Sequence, residues 1–456
     1  MDALKGVCDL SIGVLVASHQ KWFAALSVFP GWFDSLAVQE ILGIAEEDAE
    51  ELVFTLTSRS LLEHEVRASV FGGEIGHHYY YLHDLIREIA DERFVSDLEK
   101  DRIEAQYLLH YCARLAALGR IFEDPKHSAA SASALYRYDR SNFERAARRG
   151  SMFGGVLGSS LTIAFALVSA RLCDLCQGIT VRQEWFTAAL AFATPASSRA
   201  IIGRLHNGLG LALRLAGRLK EAKGEFEKAL TCFGKTNYSE EKADVFGNLG
   251  NLAMDEAKQF SRDRGPVWQT LLMEAEGQHS KALAISLELS QRPRWNKRGL
   301  AQDYGNLGVV YTAQGKLDAA FESYNMRIAI AELPELNDLR GAANGLGNMS
   351  AGYILRADEN GTDRVEWLTK ASMTCEQALI LQQQVGNRRG IAALRGDRGL
   401  VRLRLGDVGG AIEDFDESYR LFTKLADTDS AALARHRKRQ PEHLLTEPGA
   451  GSDRTT

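Results

Sequence analysis

Between Leu205 and Leu425 the pattern of apolar, small and polar positions repeats. Five segments carry a small-polar-Leu-Gly signature or a close relative: His206-Asn207-Gly208-Leu209-Gly210, Gly247-Asn248-Leu249-Gly250, Gly305-Asn306-Leu307-Gly308, Asn344-Gly345-Leu346-Gly347 and Gly396-Asp397-Arg398-Gly399. Their final glycines lie 40, 58, 39 and 52 residues apart. The short steps fit a helical hairpin plus linker, and the long steps require insertions in alternate units. Each unit then continues alike, with Gly217, Ala222 and Phe226 in the first, Gly315, Ala320 and Tyr324 in the third, and Gly406, Ala411 and Phe415 in the fifth. A small residue in the first helix lets the second cross closely, and the next glycine supplies the turn. The alanine and the aromatic four residues later share one face of the second helix, so the aromatic fills the space between hairpins.

Two units depart from this pattern. The second is interrupted after Met254 by Gln259 to Pro266, and it resumes at Gly277 and Ala282 with Ser286 at the aromatic position. The fourth is interrupted around Asp358-Glu359-Asn360-Gly361 and resumes at Ala371, with Cys375 at the aromatic position. A degenerate sixth unit is expected upstream, around Phe186 and Ala189. The series resembles the tetratricopeptide repeat, in its longer variety of about forty residues per unit. That resemblance implies an α-α superhelix whose concave groove takes a peptide or protein partner.

The first hundred residues read differently. Trp22 to Phe29 is an apolar helix ended by Pro30-Gly31; Asp34 can cap a helix from Ser35 to Ile41; Glu46 to Ser58 is a third helix. Leu61 to Val66 alternates like a strand, Tyr79 to Leu82 is its expected partner, and Gly72 to Gly76 is the tip between them. Three helices and a hairpin make a winged-helix pattern. Leu26 to Asp34, Leu61-Leu62 and Leu82-His83-Asp84-Leu85-Ile86-Arg87-Glu88 resemble the winged-helix end of an NB-ARC module, with Leu82-His83-Asp84 matching that family's Met-His-Asp motif. Such modules belong to the STAND class of signalling NTPases. The resemblance implies that His83 approaches the β-phosphate of ADP in a relative with a complete core. No Gly-x-x-x-x-Gly-Lys-Ser/Thr occurs here, and Gly154-Gly155-Val156-Leu157-Gly158-Ser159-Ser160 lacks the lysine and follows no strand. The expected chain is therefore a fragment or a product without the NTPase core, and it holds no cofactor of its own.

The expected organisation is mainly α: a winged-helix domain over residues 1–96, a helical connector over 97–160, repeats over 161–427 and a disordered tail over 428–456. Composition adds exclusions. The net charge is −6, no apolar run reaches the length that spans a bilayer, and the first residues lack a secretory pattern. Six dispersed cysteines suit a reducing, cytoplasmic setting, and the Cys173-x-x-Cys176 pair lies in an apolar run that reads as core. His77-His78 read as an exposed wing, and Asp414, Asp416 and Glu417 as the solvated face of a repeat helix. The third helix opens Glu46-Glu47-Asp48-Ala49-Glu50-Glu51, which opposes insertion into a DNA groove.

Arg388-Arg389, Arg395, Arg398, Arg402 and Arg404 crowd the junction of the fourth and fifth units. Arg395, Arg398 and Arg402 share one helix face, which is expected to bind an acidic peptide or a nucleic-acid backbone. Arg435-His436-Arg437-Lys438-Arg439 is a second, smaller basic cluster in the tail. The function expected from all of this is a protein-interaction scaffold or sensor without catalysis. The alternative is a transcriptional regulator of the NB-ARC–tetratricopeptide kind that binds DNA elsewhere.

Overall fold

The computed structural model describes the chain except residues 1, 68–75, 95, 124–128, 171–177, 194–197, 235–238, 261–263, 293–294, 296, 360–362, 426–427 and 447–456. The expected wing tip from Gly72 to Ile75, the Cys173-x-x-Cys176 pair and the last ten residues lie outside the described part. Two units form, Met1–Ala216 and Gly217–Thr456. Among the described residues no helix is long and apolar enough to cross a membrane.

The first unit opens with α1 (Asp2–Gly13) and α2 (Ala17–Ala25), the latter tightening into a 3-10 turn, Leu26–Val28. Pro30 and Gly31 then redirect the chain, and a Cβ on Gly31 would crowd Ser141 at 3.0 Å. The carboxylate of Asp34 accepts from the Ala37 amide at 2.9 Å and starts α3 (Ser35–Leu42), the cap expected from its sequence position. α4 (Glu46–Ser58) follows, with all five of its opening carboxylates in solvent. The hairpin pairs β1 (Glu63–Arg67) with β2 (His77–Tyr81) antiparallel, Glu65 opposite Tyr79. Phe33 exchanges two backbone hydrogen bonds with Tyr80, at 2.9 and 2.7 Å, and so ties the hairpin to the loop before α3.

After α5 (Asp84–Asp91), the long helices α6 (Asp97–Glu123) and α7 (Ala129–Met152) belong to the same core as the helices and hairpin before them. Tyr107 and Tyr111 on α6 reach the ring of Phe29 at 5.9 and 6.5 Å. Arg114 on α6 binds the helix-capping Asp34 at 2.7 Å and Asp139 of α7 at 2.6 Å. Arg67, at the end of β1, stacks its guanidinium on Trp32, Tyr79 and Tyr138 at 4.7 to 4.9 Å. α8 (Gly155–Ser169), α9 (Ile179–Phe192) and α10 (Arg199–Leu215) complete the unit. The glycine-rich stretch at Gly154 starts α8 after a helix, as its sequence context implied. Phe186, from the expected degenerate repeat, covers Gly208 of α10, where a Cβ would fall inside its ring.

The second unit is a file of helices: α11 (Leu219–Phe233), α12 (Ser239–Gln259), α13 (Pro266–Ser290), α14 (Arg298–Ala313), α15 (Leu317–Ala331), α16 (Leu339–Glu359), α17 (Arg364–Gln384), α18 (Arg388–Arg404), α19 (Val408–Lys424) and α20 (Thr428–Thr446). Four hairpins, α12–α13 through α18–α19, each pack on the next. This is the tetratricopeptide arrangement, in which an apolar face is buried only by stacking. Tyr324 covers Gly308, and Phe415 covers Gly399, where a Cβ would stand 2.7 Å from the ring. The turn glycines Gly315 and Gly406 adopt φ of 76° and 88°, as their place between helices demands.

The two irregular hairpins keep this packing in a register that differs from the expected one. In the second unit of the pattern, His279, not Ser286, lies against the signature glycine: a Cβ on Gly250 would be 2.5 Å from its ring. The alanine–aromatic pair is thus Ala275 and His279, both buried, and the extra turns of α12 and α13 precede it. Ser286 instead donates to Asp303 of α14 at 2.6 Å. In the fourth unit the signature is Gly347-Asn348-Met349-Ser350, three residues later than expected. Buried Ser350 donates to the Ala371 carbonyl at 2.8 Å and neighbours Cys375, which is fully buried. A serine where other units have glycine leaves room for a thiol rather than a ring.

The segment from Thr428, expected to be disordered, is helical to Thr446. Ala431 and Ala434 bury against Ala392 and Phe422 and close the apolar end of the last hairpin. Its polar composition hid this, because two alanines suffice when the partner surface is already formed.

Candidate partner-binding surfaces

The three arginines singled out by spacing do share one face of α18, but their main partner is internal. Arg398 donates to both carboxylate oxygens of Asp414, at 2.8 and 2.6 Å. Arg395 reaches it at 2.8 Å and Arg402 at 3.0 Å. Asp414 is completely buried, which corrects its reading as a solvated position. Burial would raise its pKa, yet the hydrogen bonds from Arg398 and Arg395 hold it below the ordinary carboxylate value. Asp416 is exposed and pairs with Lys438 at 2.7 Å, and Glu417 is partly exposed and pairs with Arg420 at 2.8 Å. Arg402 also reaches Asp407 at 3.8 Å, so three guanidiniums on two carboxylates leave an excess of one positive charge. Arg395 and Arg402 keep about a third of their side chains in solvent, at 30% and 29%. Arg404 is drawn off to Asp358 at 2.8 Å. In the tail cluster, Arg437 approaches Asp397 at 3.5 Å, so with Lys438 on Asp416 half of its cations serve docking of α20.

His83 is the N-cap of α5. Its Nδ1 accepts from the Leu85 amide at 3.4 Å and its side chain is exposed, while Leu82 before it is buried. Asp84 accepts from the Tyr81 hydroxyl at 3.2 Å and pairs with Arg87 at 2.9 Å. His78, expected as part of an exposed wing, lies 2.8 Å from His64 across the hairpin. Among the described residues no group of three or more metal-ligating side chains forms.

A third surface was not singled out by the sequence. A groove of 580 Å³ crosses the C-terminal ends of α12, α14 and α16. Its walls include Met254 and Ala257 of α12, Trp268 of α13, Val309 and Ala313 of α14, and Leu355 of α16. Val309 and Leu355 are 39% and 43% exposed, although each sits on a helix that buries other faces. The usable signal was a phase shift: Val309 follows the packing glycine directly, so it points away from the hairpin's own second helix. The groove has charged ends. Lys258 and Arg264 stand at the α12 side, the Arg264 guanidinium 5.7 Å from the Trp268 ring. Asp358 and Glu359 stand at the α16 side.

No protein-family model matches the chain, and no curated protein sequence matches it. Solved structures are similar at low identity. A Pyrococcus horikoshii signal transduction ATPase with numerous domains, which carries a tetratricopeptide repeat sensor, is 14% identical, with 96% of this chain and 61% of that chain covered and a TM-score of 0.46. Aspartyl phosphate phosphatase F from Bacillus subtilis is 12% identical, over 94% of this chain and 96% of that one, with a TM-score of 0.43. A tetratricopeptide repeat protein from Parabacteroides merdae is 16% identical, over 61% and 98%, with a TM-score of 0.31. The chain spans 61% of the length of the Pyrococcus protein. The repeat assignment rests on the hairpin packing itself.

Proposed function

We propose that this chain is a non-catalytic scaffold whose repeat unit takes up a polypeptide segment. The observation that carries the reading is the groove over three consecutive hairpins, where Val309 and Leu355 stay in solvent although hairpin stacking does not require them there. The arginine face of α18 is a second contact in this reading, because its charge exceeds that of Asp414. The test is a peptide-display selection against the full chain. Enriched segments that bind reversibly in solution are the expected result, and a selection that enriches none removes the reading.

In the same proposal the first ninety-six residues are the winged-helix end of an NB-ARC-type module, and the repeats are the regulatory half of a STAND-type ATPase. The order of three helices, α2 to α4, then the β1–β2 hairpin, and the Leu82-His83-Asp84 motif support this. No nucleotide site belongs to this chain in the proposal, so calorimetric titration with ADP should give no heat of binding; a saturable signal would overturn that part. The alternative, a transcriptional regulator, loses part of its DNA-binding surface, since Arg437 and Lys438 are engaged within the fold.

A further inference from the structure

The groove across α12, α14 and α16 is apolar in its middle and opposite in charge at its two ends. Lys258 is paired with Asp255 at 2.7 Å, but 73% of its side chain remains in solvent. Arg264 is exposed and stacks on Trp268, with its backbone at a φ of 46° just before α13 begins. At the other end Asp358 is neutralised by Arg404, and exposed Glu359 is left to act outward. Between them lie Met254, Val309 and Leu355, the last two 39% and 43% exposed.

Resting on the reading of this unit as a peptide receptor, we infer that the groove selects a segment with apolar anchors between a carboxylate and a cation. The carboxylate seats on Lys258 and Arg264, and the cation faces Glu359. The reasoning is charge complementarity. An apolar segment alone would leave Arg264 and Glu359 beside a low-dielectric ligand without counter-charges, which costs affinity, whereas a matched dipolar segment keeps both ends satisfied. A segment acidic at both ends would place a carboxylate beside Glu359, and one basic at both ends would meet Arg264.

The test uses the full chain and a library of random twelve-residue display peptides, with termini blocked in the follow-up synthesis so that only side chains carry charge. The enriched peptides should hold apolar residues between one acidic and one basic end. Their affinity should fall by about tenfold or more in Val309→Glu and in Leu355→Glu. Both positions are exposed, so thermal unfolding of these variants should match the parent. Arg264→Glu should invert the selection at that end, from acidic to basic residues. Enriched peptides that bind Val309→Glu and Leu355→Glu as tightly as the parent would overturn the site while leaving the scaffold reading intact. So would a consensus whose charge pattern is unchanged by Arg264→Glu. A selection with no enrichment removes the scaffold reading and this inference with it. A parent that sediments as a dimer and a Leu355→Glu variant that sediments as a monomer would assign the groove to a second copy and overturn the proposal.

Discussion

Two alanine substitutions in the second unit should move stability in opposite directions. Gly399 and Gly277 both lie inside helices, α18 and α13. In an open helical position alanine is more stable than glycine by about 1 kcal/mol, because the backbone loses less entropy on folding. At Gly277 a Cβ would meet nothing within 4 Å, so the full gain is expected. At Gly399 the new carbon would stand 2.7 Å from Cε1, 2.9 Å from Cδ1 and 3.0 Å from Cζ of Phe415. Ordinary carbon contacts need about 3.5 Å or more, so the ring or the helix must retreat by most of an ångström. Phe415 is fully buried and has no free direction. Overpacking of this kind costs about 1–3 kcal/mol, which offsets or exceeds the helix gain. Gly399→Ala should therefore lose up to roughly 2 kcal/mol net, while Gly277→Ala gains up to about 1 kcal/mol. Urea unfolding followed by far-UV circular dichroism measures both. Adding Phe415→Leu should make Gly399→Ala less harmful than it is alone, a coupling that marks direct contact. If Gly399→Ala stabilises the protein as much as Gly277→Ala does, the close crossing of α18 and α19 is wrong.

Asp303 is buried with one hydroxyl donor, and burial raises its pKa to about 6. A carboxyl raised in this way stabilises the fold below its unfolded pKa and loses that contribution as pH rises through 6, by roughly 2–3 kcal/mol at most. Buried His279 is pushed the other way, to about 4, so its contribution is present above its unfolded value near 6.5 and is lost as pH falls toward 4. The two slopes oppose each other: Asp303→Asn should leave stability rising between pH 4 and 6.5, and His279→Phe should leave it falling, in denaturant titrations across that range. Asp414→Ala strands three arginines and should cost about 3–5 kcal/mol, whereas Arg404→Ala, from an exposed pair, should cost under about 1 kcal/mol by the same titration. Cys375→Phe should destabilise by about 1–3 kcal/mol, and Ser350→Gly added to it should restore much of the loss, which calorimetric melting of the double variant would show.

The hairpins were legible in the sequence because their packing rule is local: a small residue, a turn glycine, and an alanine four residues before an aromatic. The rule located α14–α15 and α18–α19 directly through Gly308, Tyr324, Gly399 and Phe415. It slipped where chemistry replaced the marker. His279 fills the aromatic position against Gly250, and a histidine carries no apolar signal; Ser286, seven residues on, takes that place in the sequence pattern. Ser350 replaces the glycine, so the nearest Asn-Gly-Leu-Gly string, three residues upstream, mimics the signature. The arginine face shows the same limit in electrostatic form. Spacing correctly put Arg395, Arg398 and Arg402 on one side of α18, because helical periodicity is a property of one segment. Their shared acceptor, Asp414, sits on the next helix in a run of carboxylates that looks solvated, and only the crossing of two helices turns it inward. The groove was invisible for a related reason. Val309 and Leu355 are ordinary apolar helix residues one at a time, and their meaning arises only when stacking brings three hairpin ends side by side with Arg264 at one end and Glu359 at the other.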